Sequence, residues 1–123
     1  MEASAKWYMR VFGLERVPAA FPHHGDEDGG YAVLLTDPRT GLLTALHHHE
    51  AHDGSTFDEG RTGLDHLSWG VSARAGLDVW ADWLDELGGE HSGVIDKAGA
   101  LPYSVVVLRD PDRIQLELIH LPG

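Results

Sequence analysis

The chain has 123 residues, 42% of them hydrophobic and 24% charged, with no cysteine. That composition fits one ordinary globular domain and excludes disulfides, thiolate-held zinc and thiol catalysis. Nine Lys and Arg against twenty Asp and Glu leave a net charge of −11, which repels phosphate backbones and anionic membrane surfaces and argues against nucleic acid as a partner.

Taken in chain order, residues 3–12 place Ala5, Tyr8, Met9 and Phe12 at i, i+3, i+4 and i+7, the stripe of a short amphipathic helix that Gly13 stops. Residues 14–19 read as a brief strand, and residues 21–30, rich in turn formers and charge, as a loop. Residues 31–36 and 42–48 form a hairpin about the turn Asp37-Pro38-Arg39-Thr40-Gly41, and a polar loop runs over 50–63. Residues 64–72 are again strand-like. Leu77, Trp80, Ala81, Leu84 and Leu87 make a second amphipathic helix ending at Gly88-Gly89, with both tryptophans, Trp80 and Trp83, spaced for packing on a sheet. A strand over 91–95 follows, then a second hairpin, 103–108 and 114–120, about Asp110-Pro111-Asp112-Arg113. No apolar run approaches the ~20 residues that span a bilayer, and no basic-then-apolar leader opens the chain, so a cytoplasmic location without membrane insertion is expected.

This order is a repeat. Asp37-Pro38 and Asp110-Pro111 stand 73 residues apart, and the helix ends Phe12-Gly13 and Leu87-Gly88 stand 75 apart, nearly equal offsets that point to two similar modules, 1–62 and 63–123, within one domain. The second module opens on a strand, Leu64-Asp65-His66-Leu67-Ser68-Trp69-Gly70-Val71, whose counterpart in the first would be expected about eight residues before Met1. The expectation is therefore an α+β fold of two βαβββ modules forming a cupped mixed sheet, the first module lacking its opening strand.

The two modules, the strand Gly63-Leu64-Asp65-His66-Leu67 and the closing hairpin Arg109-Asp110-Pro111-Asp112-Arg113-Ile114-Gln115-Leu116-Glu117-Leu118 together resemble the vicinal oxygen chelate family of glyoxalases, extradiol dioxygenases, epimerases and fosfomycin- and bleomycin-resistance proteins. The resemblance implies a small-molecule site in a cup lined by both modules. In the metal-dependent members a divalent ion is held by side chains on the first and last strand of each module, positions that His66 and Glu117 occupy here. It implies a metal, Fe, Mn, Ni or Zn, with Glu117 also serving in proton transfer, because imidazole and carboxylate suit such ions and open positions let vicinal substrate oxygens bind. In the first module, shifting Glu117 back by the repeat offset reaches Thr44, or Ala45 if the register slips by one. If Thr44 faces the cup, period two puts Leu46 and His48 there as well, making His48 a replacement ligand or a rim contact; on the same alternation His48, Glu50 and His52 share a face. Against this stands a solvated strand end.

Further candidates for substrate contact are Trp69 and Tyr103, which otherwise pack in the core, and Phe57 and Arg61 on the segment joining the modules, where Arg61 pairs either with Asp58 or with an anionic substrate. Two functions remain open. One is a metal-dependent lyase, isomerase or dioxygenase. The other is a metal-free sequestering protein in which Trp69, Tyr103 and Phe57 supply stacking and the acidic surface draws cationic ligands. Family members also pair their modules between subunits, and a first module without its opening strand leaves an edge at residues 42–48; both point to a homodimer.

Overall fold

The computed structural model describes residues 1–22 and 29–123; of the loop expected over 21–30, residues 23–28 lie outside the described residues. The elements run α1 (Glu2–Phe12), β1 (Glu15–Pro22), β2 (Tyr31–Thr36), β3 (Leu43–His48), β4 (Leu67–Gly70), α2 (Arg74–Glu86), β5 (His91–Lys97), β6 (Tyr103–Arg109) and β7 (Gln115–His120). They form a three-stranded sheet ordered β1-β2-β3 and a four-stranded sheet ordered β4-β7-β6-β5. The fold is α+β, as the periodicity indicates, and two compact units divide it at Met1–Thr56 and Phe57–Gly123.

Each unit repeats the same construction. A helix ends on a glycine with φ of +66°, Gly13 after α1 and Gly88 after α2, a left-handed turn that other residues adopt only with strain. The next strand shifts register, between Arg16 and Ala20 in β1 and between His91 and Val94 in β5. The causes are local. Pro18 has no N–H for the ladder, so it falls in the irregular part of an edge strand, and Gly93 takes a positive φ of 69° while the Ser92 hydroxyl accepts the N–H of Val107. Because the β1 pairing resumes beyond this shift, Phe21 and Pro22 belong to the strand, opposite Ala32 and Tyr31, rather than to the loop expected there.

Each hairpin then closes on a buried aspartate. Asp37 accepts the backbone N–H of Arg39, and Asp110 accepts those of Asp112 and Ile114. The Arg39 guanidinium and backbone N–H, with the Thr40 hydroxyl, hold the Asp37 carboxyl down at about 2.

In the second unit α2 packs on β5, β6 and β7, burying Leu77 and Leu84 from the helix against a sheet whose Val106, Leu108, Leu116 and Leu118 are also buried. In the first, α1 buries Ala5, Tyr8 and Val11, and Val33 and Leu35 of the central strand are fully enclosed. Each such leucine contributes about 2 kcal/mol of apolar burial. Arg74 at the start of α2 is hydrogen-bonded to Asp96 of β5 and to Asp78, fixing the helix along the sheet. Trp80 is half-buried, whereas Trp83 is 37% exposed and contributes little to the core. Among the described residues no helix is long and apolar enough to cross a membrane.

Candidate functional site

Strand alternation decides which side chains meet. In β7, Leu116 and Leu118 turn toward the core, so Glu117 turns the other way, paired with Val107 of β6 on one side and Ser68 of β4 on the other. The β4 strand is shorter than its sequence indicates, beginning at Leu67, and His66 stands just before it. There it reaches Glu117: Nε2 lies 3.4 Å from Glu117 Oε2, the same oxygen that accepts the Ser68 hydroxyl at 3.0 Å. The other ring nitrogen, Nδ1, is 2.5 Å from Asp65 Oδ1. His66 is thus held between two carboxylates. The Asp65 hydrogen bond, followed by the charges of Glu117 and Asp65, raises its pKa above the ordinary histidine value despite the opposing effect of partial burial. Glu117 is only 18% exposed at its side chain.

Tyr103, Arg109 and Gln115 fall on the Glu117 face by the same alternation, Tyr103 at the far end of β6 opposite Lys97. Trp69 pairs with Leu118 and falls on the opposite face, so the structure does not bring it to Glu117. The segment that joins the modules is tied to this sheet. Glu59 binds the Arg109 guanidinium through both oxygens, at 3.0 and 2.5 Å, and Arg109 also donates to the Gln115 side chain and the Arg113 carbonyl. Arg109 holds the Glu59 carboxyl at about 2. The Phe57 N–H donates to the Asp112 carbonyl, and Arg61 pairs with Asp58 at 3.4 Å.

In the first unit the register is set by the turns. The hairpin of Asp37 closes with its N–H on the Leu42 carbonyl, that of Asp110 with its N–H on the Ile114 carbonyl, so the first turn is one residue longer. The offset between the repeats drops by one across it, and the residue facing Leu34 as Glu117 faces Val107 is Ala45. Thr44, Leu46 and His48 lie on the other face, shared with the enclosed Leu35 and Val33 and with Tyr31, whose ring is 5.0 Å from that of His48. His48 also has Glu50 at 3.9 Å. Ala45 and His47 share the face that corresponds to Glu117.

The residues can be tested against the divalent ion the family implies. His66 Nε2 and Glu117 Oε2 are donors of suitable type and close enough to share an ion, and a carboxylate behind the second ring nitrogen is the usual means of orienting a ligating histidine. Asp65 is taken up on that far nitrogen, however, and the position of the first unit equivalent to Glu117 is Ala45, whose methyl is no ligand. Among the described residues no group of three or more His, Asp or Glu is placed to hold a metal. The set fits in type and falls short in number.

The sequence pointed to His66 and Glu117 but passed over Asp65, Ser68, Glu59 and Arg109. Ser68 was within reach of a period-two reading from His66. The Glu59–Arg109 pair spans fifty residues and carries no local signal.

A repeated α+β construction, with a histidine beside a carboxylate on the sheet face turned away from α2, defines the class of fold. The chain matches the sequence model of the Glyoxalase/Bleomycin resistance protein/Dioxygenase superfamily over residues 1–118, and it belongs to that superfamily. Among solved structures it is similar to a glyoxylase/bleomycin resistance protein/dioxygenase domain from a Frankia species, with 25% identity and a TM-score of 0.79, covering 100% of this chain and 84% of that one. A glyoxalase family protein from Enterococcus faecalis shares the fold at 18% identity and TM-score 0.72, covering 97% and 87%. A lactoylglutathione lyase from Agrobacterium tumefaciens does so at 20% identity and TM-score 0.60, covering 97% and 84%. A search of curated proteins gave no match.

Proposed function

We propose that this protein binds a small molecule on the Glu117 face of its second module and does so without a resident metal ion, in the manner of the sequestering members of its superfamily. The observation that carries the reading is the pair of hairpin registers, which gives Ala45 the position equivalent to Glu117. Glu117 is the anionic contact, His66 and Ser68 fix its carboxylate, Tyr103 supplies an aromatic wall on the same face, and Phe57 and Arg61 lie on the segment that Glu59 ties to Arg109. Thr44 and Trp69 are left to packing because they lie on the other faces of their sheets. A carboxylate in a protein of net charge −11 favours a cationic ligand. The test is a thermal shift with the cationic aromatic dye proflavine: ligand that prefers the folded state raises Tm, and Glu117→Gln should abolish the rise. A rise of equal size in the mutant places the ligand elsewhere.

A second reading is favoured by the Asp65–His66 contact, which resembles the support given to a ligating imidazole. On it a divalent ion, Fe, Mn, Ni or Zn, would be held by His66 and Glu117 with a further ligand from outside this chain, supplying Lewis-acid chemistry of the lyase, isomerase or dioxygenase kind while Glu117 moves a proton; His48, the expected replacement ligand, is set aside because it lies on the face of β3 opposite Ala45. Either reading places the protein in the cytoplasm, where a cysteine-free chain has no need of oxidation, and as a homodimer through its first module. The support for the dimer is β3, which among the described residues pairs with β2 alone. Light scattering at micromolar concentration should give twice the chain mass, and a monomer would contradict it.

A further inference from the structure

Three consecutive histidines stand where β3 ends, His47 and His48 as its last residues and His49 just beyond it, and their side chains fall on two sides. His48 turns to the side of Val33 and Leu35, where it meets Tyr31 and Glu50. His47 and His49 turn the other way, together, with ring centroids 6.5 Å apart and planes within 25° of parallel. Both residues are exposed. Just beyond them the chain turns back, the His52 N–H bonding to the His49 carbonyl, which holds the backbone of His49 in place after the strand ends.

We propose that His47 and His49 form a chelate for a borderline transition ion, Cu²⁺, Ni²⁺ or Zn²⁺, separate from the Glu117 site. His47, next to last in β3, and His49, directly after its end, carry their imidazoles side by side, as alternate residues of extended chain do. A tetrahedral ion such as Zn²⁺ bonded to both at the usual 2.0–2.1 Å requires centroids roughly 5 Å apart, so the rings need to close from 6.5 Å by about 1.5 Å, a modest rotation for exposed side chains. Neutral imidazole is a preferred ligand of these ions, whereas Mg²⁺ and Ca²⁺ take oxygen. The acidic chain raises the local concentration of any cation. His47 shares its face of β3 with Ala45, the residue at the position matching Glu117. The first module therefore offers two imidazoles on the face where the second offers a carboxylate. The remaining coordination positions fall to water or to a small ligand, so the site binds an ion with room for a further donor.

The test is Cu²⁺ titration of the untagged full chain, followed by tryptophan fluorescence quenching and by electron paramagnetic resonance, which reports nitrogen ligands through superhyperfine splitting. The wild type should show one site with two equivalent nitrogens. His47→Ala and His49→Ala should each weaken that site by about tenfold or more and remove one nitrogen from the spectrum. His48→Ala, on the opposite face, and Glu117→Gln should leave affinity and spectrum unchanged. Wild-type binding in both His47→Ala and His49→Ala would overturn the assignment. Loss of binding in Glu117→Gln alone would also overturn it and assign the ion to the second module. Circular dichroism of each variant verifies that β3 remains folded.

Discussion

Glu117 on β7 and Ala45 on β3 occupy the same place in the two halves of the chain, each facing the third residue before its hairpin aspartate, Val107 before Asp110 and Leu34 before Asp37. One half keeps a carboxylate on the sheet face turned away from its helix and the other presents a methyl group. The matching positions of the two halves are thus chemically lopsided, a carboxylate with an imidazole beside it in one and a methyl in the other.

The charge state of that imidazole depends first on Asp65. In Asp65→Asn the His66 pKa should fall toward the ordinary histidine value, because the leading cause of its elevation is removed and only the Glu117 charge remains to offset burial. Histidine chemical shifts followed by NMR over pH measure this directly. An unchanged titration would assign the elevation to Glu117.

Stability should respond to acid in a defined window. Asp37, Glu59 and Asp96 are each held at about 2 by arginine partners, against ordinary values of 3.8 for aspartate and 4.5 for glutamate. Their folded pKa values are depressed, so their contribution is complete above the unfolded values and is lost as pH falls from about 4.5 toward 2. His66 has the opposite sign: its contribution is complete below 6.5 and is lost as pH rises through its elevated value. Urea midpoints between pH 2 and 9 should therefore drop steeply on the acid side and mildly on the alkaline side.

Leu116 is fully buried beneath α2, so Leu116→Ala should cost about 2–5 kcal/mol by leaving a cavity. Val79, on the same helix but 68% exposed, should tolerate alanine within about 0.5 kcal/mol. Equilibrium denaturation of the two variants tests the face assignment of the second module.

The joining segment should open when its tie is cut. Glu59→Ala removes both hydrogen bonds to the Arg109 guanidinium and leaves the Phe57–Asp112 contact alone. Limited trypsin digestion should then cleave faster after Arg61, with the mass of the fragments locating the cut. Equal rates in both proteins would show that the segment is held by other contacts.

Much of this was legible in the chain and some was not, for physical reasons. Helices, hairpins and the repeat follow from side-chain period and from glycine and Asp-Pro punctuation, so α1, β2 and the order of the second module emerge from sequence within a residue or two. The ends of β1 and β4 did not, because Phe21 and Pro22 are strand by virtue of their partners Ala32 and Tyr31 in β2, and residues 64–66 are apolar and charged in alternation without a ladder to join. His66 and Glu117 were reached through the repeat and the family resemblance. Whether Thr44 or Ala45 matched Glu117 depended on one extra residue in a turn, which shifts a whole strand face and which only the hydrogen bonds of the two turns resolve. The hold of Arg109 on Glu59 is tertiary and has no sequence pattern.

We propose that the Glu117 face binds a small molecule without a metal. Calorimetric titration of proflavine into the wild type, before and after exhaustive EDTA treatment, and into Glu117→Gln tests it most directly. The prediction is one isotherm, unchanged by EDTA and lost in the mutant. Binding that disappears with EDTA and returns with Mn²⁺ in the wild type, but not in Glu117→Gln, would contradict it and establish a metal centre on His66 and Glu117.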